Sequence, residues 1–367
     1  MREQCTQVVN FKACPSCGAK AMEYVISSDT IRCNYCGTQE QIKDYGIIYE
    51  YAYEAFTQHE ESSLIHAYYH LIKCPLCGAI NSFKPFDVAD FCNYCGTHLN
   101  WQIPSKNPIF QPQAIYPFRI PRELVLDLVK GWLKEKVKTW YVPSNLHTLI
   151  QPEVVEGIYV PFWTIDISAS SHFYAKRGDY QQCHTYILGR NKLVRKHYVK
   201  KIIKWQSIQG NVDLHFDDIL VLASNYLPLN RLDKLLVCGY NADHLKPYNP
   251  KYLLGFRVER YNIPLQSAYK TTEKLAHLII RRQIKDIVGG DRQKIRYIKT
   301  DYRQITFKHI LLPLWIVRYC YFGKCYHVAV SGITGNIVGS FPIDMRAIVL
   351  VSVILSIITF IIILLIY

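Results

Sequence analysis

Eight cysteines in the first hundred residues have the types and spacing to hold metal. Cys14 and Cys17 form one Cys-x-x-Cys-Gly knuckle, and Cys33 and Cys36 form a second. Cys74 with Cys77 and Cys92 with Cys95 repeat the arrangement about sixty residues on, and the letters CNYCGT recur at 33–38 and 92–97. In such a knuckle two thiolates point at one ion, and the glycine permits the tight turn around the sulfurs. Two knuckles supply four sulfurs. The spacing therefore predicts two tetrahedral four-cysteine zinc sites, with iron in a rubredoxin-like site as the metal alternative. A site with all four positions filled by protein leaves no place for a reacting water, so its expected role is structural. Units this small need the ion for their folding free energy.

The elements that must carry these knuckles are short. The expected organisation is a zinc ribbon over 10–45, a helical connector over 46–73 (rich in Tyr, Glu and His), a second ribbon over 74–102 and a proline-containing linker over 103–116. The fold expected for 117–343 is an antiparallel-β-rich α+β domain. A helix opens it after Pro121, with Leu124, Val125, Leu128, Val129 and Trp132 as its apolar stripe. Strands follow from Val154, a helix spans Thr271–Val288 with Gly289-Gly290 as its stop, and a meander begins at His309. Pro161-Phe162-Trp163 is echoed by Pro313-Leu314-Trp315, which makes an internal duplication a candidate feature.

The chain of 367 residues has a formal net charge of +14, unevenly spread. Residues 1–100 hold 7 Lys and Arg against 11 Asp and Glu, and the remainder holds 36 against 18. A ribbon that reads nucleic acid needs cations for the phosphates, and here the knuckles lie in the acidic part. The basic runs lie elsewhere, at Lys192, Arg195, Lys196, Lys200, Lys201 and Lys204, and from Arg281 to Lys299. Contact with an anionic lipid surface is the expectation for them.

Residues 347–367 read AIVLVSVILSIITFIIILLIY, with no charge. A bilayer core needs about 20 apolar residues as helix, so this stretch is expected to span a membrane as a tail anchor. The lysines and arginines before it, Arg346 included, place the bulk of the chain in the cytoplasm at the inner membrane. The N-terminus lacks a secretory h-region, and thirteen cysteines without one read as reduced thiols and ligands. Of the rest, Cys5, Cys183, Cys238, Cys320 and Cys325 are expected to be small buried hydrophobes, although Cys320 and Cys325 flank a hairpin turn and could face each other. No P-loop, H-E-x-x-H or G-x-S-x-G motif occurs, and Asp217-Asp218 reads as a solvated turn before a strand. The chain is expected to be non-enzymatic.

The two ribbons, AIYPFRIPRE at 114–123, GIYVPFW at 157–163, PYNPKYLLGFRVERYNI from Pro247 and the run from Leu311 to Pro342 occur together, ahead of the apolar tail. This combination resembles a family of bacterial membrane-anchored double zinc-ribbon proteins. They are often labelled primosomal-protein-N′-like or replication-restart-helicase-like. Ser331 departs from the family pattern, which has Asn there. The helicase label does not transfer, because the motor motifs are absent. The resemblance implies a membrane anchor for flotillin-like (SPFH) and phage-shock-type partners. The leading expectation is thus a tail-anchored scaffold. The alternatives are a membrane-tethered nucleic-acid-binding protein and a membrane-bound enzyme.

Overall fold

The computed structural model describes residues 14–19, 22–43, 46–58, 110–143, 146, 154–188, 195–225, 232–259 and 261–366, with backbone segments at 70–73, 80–83, 89–91 and 98–100. Among the described residues the first elements form a small three-stranded sheet, β1 (Met22–Val25), β2 (Thr30–Cys33) and β3 (Gln39–Gln41). Next come β4 (Tyr51–Ala52) and the six-residue α1 (Tyr53–Gln58), then two hairpins, β5 (His70–Lys73) with β6 (Ile80–Phe83) and β7 (Ala89–Phe91) with β8 (His98–Asn100). The body holds β9 (Ala114–Ile115), α2 (Arg122–Val137), β10 (Val154–Leu188), β11 (Arg195–Leu222), α3 (Leu232–Val237), β12 (Lys246–Pro247), β13 (Arg257–Val258), α4 (Leu265–Val288), β14 (Arg292–Tyr321), β15 (Lys324–Ser331) and β16 (Ile337–Gly339). A last helix, α5, spans Met345–Ile366. This is a β-rich α+β fold with an apolar C-terminal helix.

Three strands set the shape. The main sheet has the order β11-β10-β14-β15-β16, and β10, β11 and β14 run 35, 28 and 30 residues. Their sequence changes character along their length. In LLPLWIV at Leu311–Val317 every residue is buried, because α2 covers one face and α3 the other. Val125, Val129 and Leu133 of α2 pack with Trp315, Val317 and Tyr319, and Leu232, Leu235 and Leu236 of α3 pack with Leu312, Leu314 and Ile316. A strand buried on both faces reads as a continuous apolar run. Beyond Ile305 the same strands alternate, and the sheet becomes an arm covered on one side by α4. Ile167, Ala169, Phe173 and Ala175 of β10 meet Ala276, Ile280, Ile284 and Val288 of α4, while Ser170, His172 and Tyr174 face outward. The α4 ladder recurs every four residues, which suits a helix following a twisted sheet.

The order helix, long strand, antiparallel partner occurs twice, as α2-β10-β11 and α4-β14-β15. The echoed tryptophans fall on the adjacent strands β10 and β14. Each indole donates to a loop carbonyl, Trp163 Nε1 to Ile263 O and Trp315 Nε1 to Ile120 O, both at 2.9 Å. The strands expected to resume at His309 begin earlier, at Arg292, soon after α4 ends, and the β14-β15-β16 meander then turns at Phe322-Gly323 and after Ser331. Ser331 Oγ accepts from the N–H groups of Ile333 and Thr334, each at 3.3 Å, a local turn role that Asn also performs.

Several expectations need correction. The connector over 46–73 is not a helix through its described residues: α1 covers only Tyr53–Gln58, and Tyr51 and Ala52 pair with Phe307 and Thr306 at the edge of β14. An open sheet edge and a run of tyrosines outweigh the helical composition. The linker over 103–116 ends inside the body, where Phe110, Ala114, Ile115 and Tyr116 are buried and β9 lies parallel to β14 at Ile310 and Leu311. On α2 the apolar face is turned toward Leu133, leaving Leu124 exposed. The helix expected from Thr271 begins earlier, at Leu265, directly after Pro264.

Candidate metal centre

The two knuckles of the first ribbon are built alike. Gly18 N–H donates to Cys14 O at 2.8 Å, and Gly37 N–H donates to Cys33 O at 2.9 Å. Cys14 N–H donates to Ala19 O and Cys33 N–H to Thr38 O, at 2.8 and 2.9 Å. Gly18 and Gly37 have φ of 74° and 76°, a left-handed conformation in which a Cβ is strained. The glycine of each Cys-x-x-Cys-Gly therefore closes the turn that aims its sulfurs inward.

All four sulfurs, of Cys14, Cys17, Cys33 and Cys36, lie within 4.8 Å of one another. Cys14 Sγ is 3.5 Å from Cys36 Sγ, and Cys17 Sγ is 3.7 Å from Cys33 Sγ. A tetrahedral zinc with bonds of about 2.3 Å places its sulfurs about 3.8 Å apart. The donor set and its spacing fit the ion. Cys14 and Cys33 are buried, and Cys17 and Cys36 are exposed. The Thr38 hydroxyl, 3.1 Å from Cys36 Sγ, and the Thr38 backbone N–H hold the Cys36 thiol down to about 6. The Ala19 N–H pulls Cys17 down, but the neighbouring Cys36 thiol and burial outweigh it and push Cys17 up to about 12. The cluster thus favours unequal sharing of protons among its thiols, which a dication would displace together.

The ribbon is seated on the body. The Tyr24 ring is buried and meets Tyr252 edge-on at 5.2 Å, and its hydroxyl donates to Asp29 Oδ1 at 2.8 Å. Tyr24 N–H donates to Leu254 O at 3.2 Å. Lys246 is paired with Asp29, and Lys251 Nζ with Glu40 Oε1 at 2.6 Å. Two carboxylates of the ribbon, Asp29 and Glu40, thus meet basic side chains of the body.

Cys74, Cys77, Cys92 and Cys95 lie outside the described residues. The backbone around them is described in part. Arg32 pairs with Gln39 across CNYCGT in the first ribbon, and Phe91 pairs with His98 across CNYCGT in the second, the same register around the same letters. Lys73 pairs with Ile80 across the other knuckle.

A second set of candidate ligands, Asp166, Asp217 and Asp218, lies at a bulge between β10 and β11. Asp218 is not in a solvated turn, as Asp217-Asp218 read in sequence. It sits in a continuous strand with φ of 51°, facing Lys308. Lys308 Nζ is 2.8 Å from Asp218 Oδ1 and 2.7 Å from Glu50 Oε1, with its side chain 8% exposed. Burial pushes Asp166 up to about 6, although Asp218 N–H and Thr306 Oγ1 donate to it. The ammonium already supplies the positive charge that a metal would bring. Nothing in the sequence pattern paired Lys308, far along the chain, with these acids.

Of the cysteines expected as small buried hydrophobes, Cys238 is exposed, Cys183 is half-buried and Cys5 lies outside the described residues, while Cys320 and Cys325 are neither buried nor reduced. They are direct partners across the β14–β15 hairpin, with Cα atoms 4.2 Å apart and the sulfurs joined as a disulfide. Antiparallel register places them opposite each other, the geometry that the flanking of a turn had left open.

No family model matches the chain, and no solved structure matches it. The chain is 24% identical over 234 residues to the uncharacterized protein YdjG of Bacillus subtilis (strain 168). The match covers 64% of this chain and 64% of that protein, so it spans a little under two thirds of the relative's length.

Proposed function

We propose that this protein is a membrane-anchored scaffold without catalytic activity, holding two structural zinc ions in two ribbons at the cytoplasmic face of the inner membrane. The observation that carries the reading is the closed four-cysteine cluster seated on a body that continues into α5. The equal register around the second CNYCGT supports a second ion held by Cys74, Cys77, Cys92 and Cys95. Among the described residues α5 is the one helix long and apolar enough to cross a membrane, over Met345–Leu364. Its 20 residues reach about 30 Å as helix, the thickness of a bilayer core.

Protein partners meet the ribbon head in this reading. Tyr35, between the ligands Cys33 and Cys36, is 82% exposed, and an exposed tyrosine on a rigid frame is a common anchor at interfaces. Flotillin-like and phage-shock-type proteins are the partners that the family resemblance implies. Affinity capture of the full chain from solubilised membranes tests this. Envelope proteins recovered by the native chain, and lost with Tyr35→Ala while zinc content stays, support the scaffold. Recovery of replication proteins or nucleic acid instead overturns it.

One observation favours a second reading, a membrane-tethered binder of nucleic acid. Residues 176–204 and 281–299, toward the far end of the arm, together carry 16 Lys and Arg against 3 Asp and Glu. Lys294 Nζ lies 4.4 Å from the Trp205 ring centre and Lys201 Nζ 4.2 Å from that of Tyr180. Cations among aromatic rings suit a phosphate backbone with exposed bases. A salt-dependent shift of single-stranded DNA or RNA by the full chain, lost on replacing Lys200, Lys201 and Lys204 with Ala, distinguishes this reading.

A further inference from the structure

We infer that the end of the body carrying the β14–β15 turn is a lipid-contact surface, with Phe322 and Trp140 entering the headgroup region of the bilayer that α5 crosses. The inference rests on α5 being a membrane span and adds a second, peripheral contact beside it.

Phe322 carries the argument. It is 82% exposed and has φ of 46°, and Gly323 after it has φ of 74°. A two-residue hairpin turn with both central residues left-handed selects Asn-Gly, and a bulky side chain at the first position is disfavoured. Here the strained position holds an aromatic ring whose described ring contact is Tyr321, at 4.6 Å. Strained residues cluster at functional sites, and a bulky exposed ring held in one is a ground for inferring a role. Trp140 is a second exposed ring, on ordinary backbone. It is 57% exposed and meets Tyr141 edge-on at 5.5 Å.

Their position identifies what covers them. Asp344, one residue before α5, donates its N–H to the carbonyl of Tyr141 at 2.8 Å. The Asp344 carboxylate also lies close enough to Tyr321 to help burial raise that phenol. Both exposed rings are thus neighbours of residues that hold the root of the span. Aromatic side chains collect at the membrane interface, where an apolar ring meets a polar rim. Exposed Lys324 and Arg346 add positive charge beside anionic headgroups. A protein partner could cover such rings on any face. Their collection around the root of an apolar helix selects the lipid.

The test uses the full chain in vesicles of phosphatidylcholine and phosphatidylglycerol, with and without shallow-brominated phosphatidylcholine. Flotation with the vesicles reads the span. Tryptophan quenching then reads the second contact. In a Trp140→Phe background, Phe322→Trp is expected to add a blue-shifted emission that bromolipid quenches at least about two-fold. Trp140→Phe alone is expected to remove a quenched component from the native signal, an independent check should the turn variant fold poorly. Protein that floats while neither residue is quenched, both staying open to aqueous acrylamide, overturns the inference and leaves the span intact. Rings shielded in native membranes yet unquenched in the protein-free bilayer point to a protein cover and overturn it too. Failure to float removes the span reading and the inference with it.

Discussion

Replacing Cys33 with Ser takes one sulfur from a site whose other three donors cannot close a tetrahedron by themselves. Beyond the cysteines, the buried apolar side chains of the described first ribbon are Tyr24 and Ile31. Each contributes about 1.5–3 kcal/mol by burial, so together they supply at most about 6 kcal/mol. A structural zinc supplies about 10–16 kcal/mol. The metal therefore outweighs the core, and the ribbon should not persist without it. Metal analysis of the purified full chain should give two zinc ions for the native protein and one for Cys33→Ser. Limited proteolysis should open the variant within residues 14–43 and spare β14. Part of the ribbon's order is borrowed from the body through Tyr24, so cleavage should be fastest near the knuckles rather than at β1. Unchanged metal content in Cys33→Ser would refute the assignment of these four cysteines. Native protein with a single zinc, falling to none in the variant, would refute the second site alone.

Tyr24→Ala should free the ribbon from the body at a local cost of about 3–5 kcal/mol, read as faster hydrogen exchange over β1 and β2 with zinc content unchanged. Lys308→Met strands Asp218, Asp166 and Glu50 without their cation and should cost about 3–5 kcal/mol at neutral pH. Burial already raises Asp166, and the variant removes the ammonium that helps to lower Glu50, so these two carboxyls hold more protons in the folded variant than in the folded native protein and the loss grows as pH rises from about 4. The loss on Lys308→Met should therefore shrink at pH 5, and a pH-independent loss would show that the charge is not the cause. Burial lowers His309 to about 4, while its Nδ1 lies 3.0 Å from Phe110 O. The unfolded chain protonates this group near 6.5, so its contribution is present above that pH and is lost as pH falls toward 4. The drop is on the order of 3 kcal/mol, read as the pH dependence of the stability difference between native protein and His309→Phe. Cys320 and Cys325 should resist alkylation until reductant is added, checked by mass spectrometry, and labelling without reductant would remove the disulfide.

The knuckles were legible because their chemistry is local: a Cys-x-x-Cys-Gly turn needs only its own five residues. The apolar C-terminal helix and the hairpin after Tyr321 were legible for the same reason, each being a pattern within one segment, whereas the start of β14 at Arg292 was missed. The long strands were less so. Their composition changes from alternating to continuous where α2 and α3 cover them, and sequence alone cannot say that one strand passes through both settings. The pairing of β4 and β9 with β14 was hidden because edge strands of two residues carry no period. Lys308 among Glu50, Asp166 and Asp218 joins four segments far apart in sequence, and the charge count that singled out the basic runs passed over it.

The length of β14 has a consequence for what the arm can reach. Its 30 residues extend from Arg292, at the far end, to Tyr321, beside the root of α5. At about 3.3 Å per residue that is roughly 100 Å. Charges are screened over about 10 Å at ordinary ionic strength. With α5 in a bilayer, as proposed above, cations at the far end would sense the leaflet only where the arm lies flat along it. Standing away from that surface, the arm would hold its tip at this distance from the proposed anchor. One binding tip confined to a hemisphere of roughly 100 Å radius is a local concentration on the order of 1 mM. A ligand held there weakly would stay patrolled at the membrane, its capture governed by reach rather than by affinity.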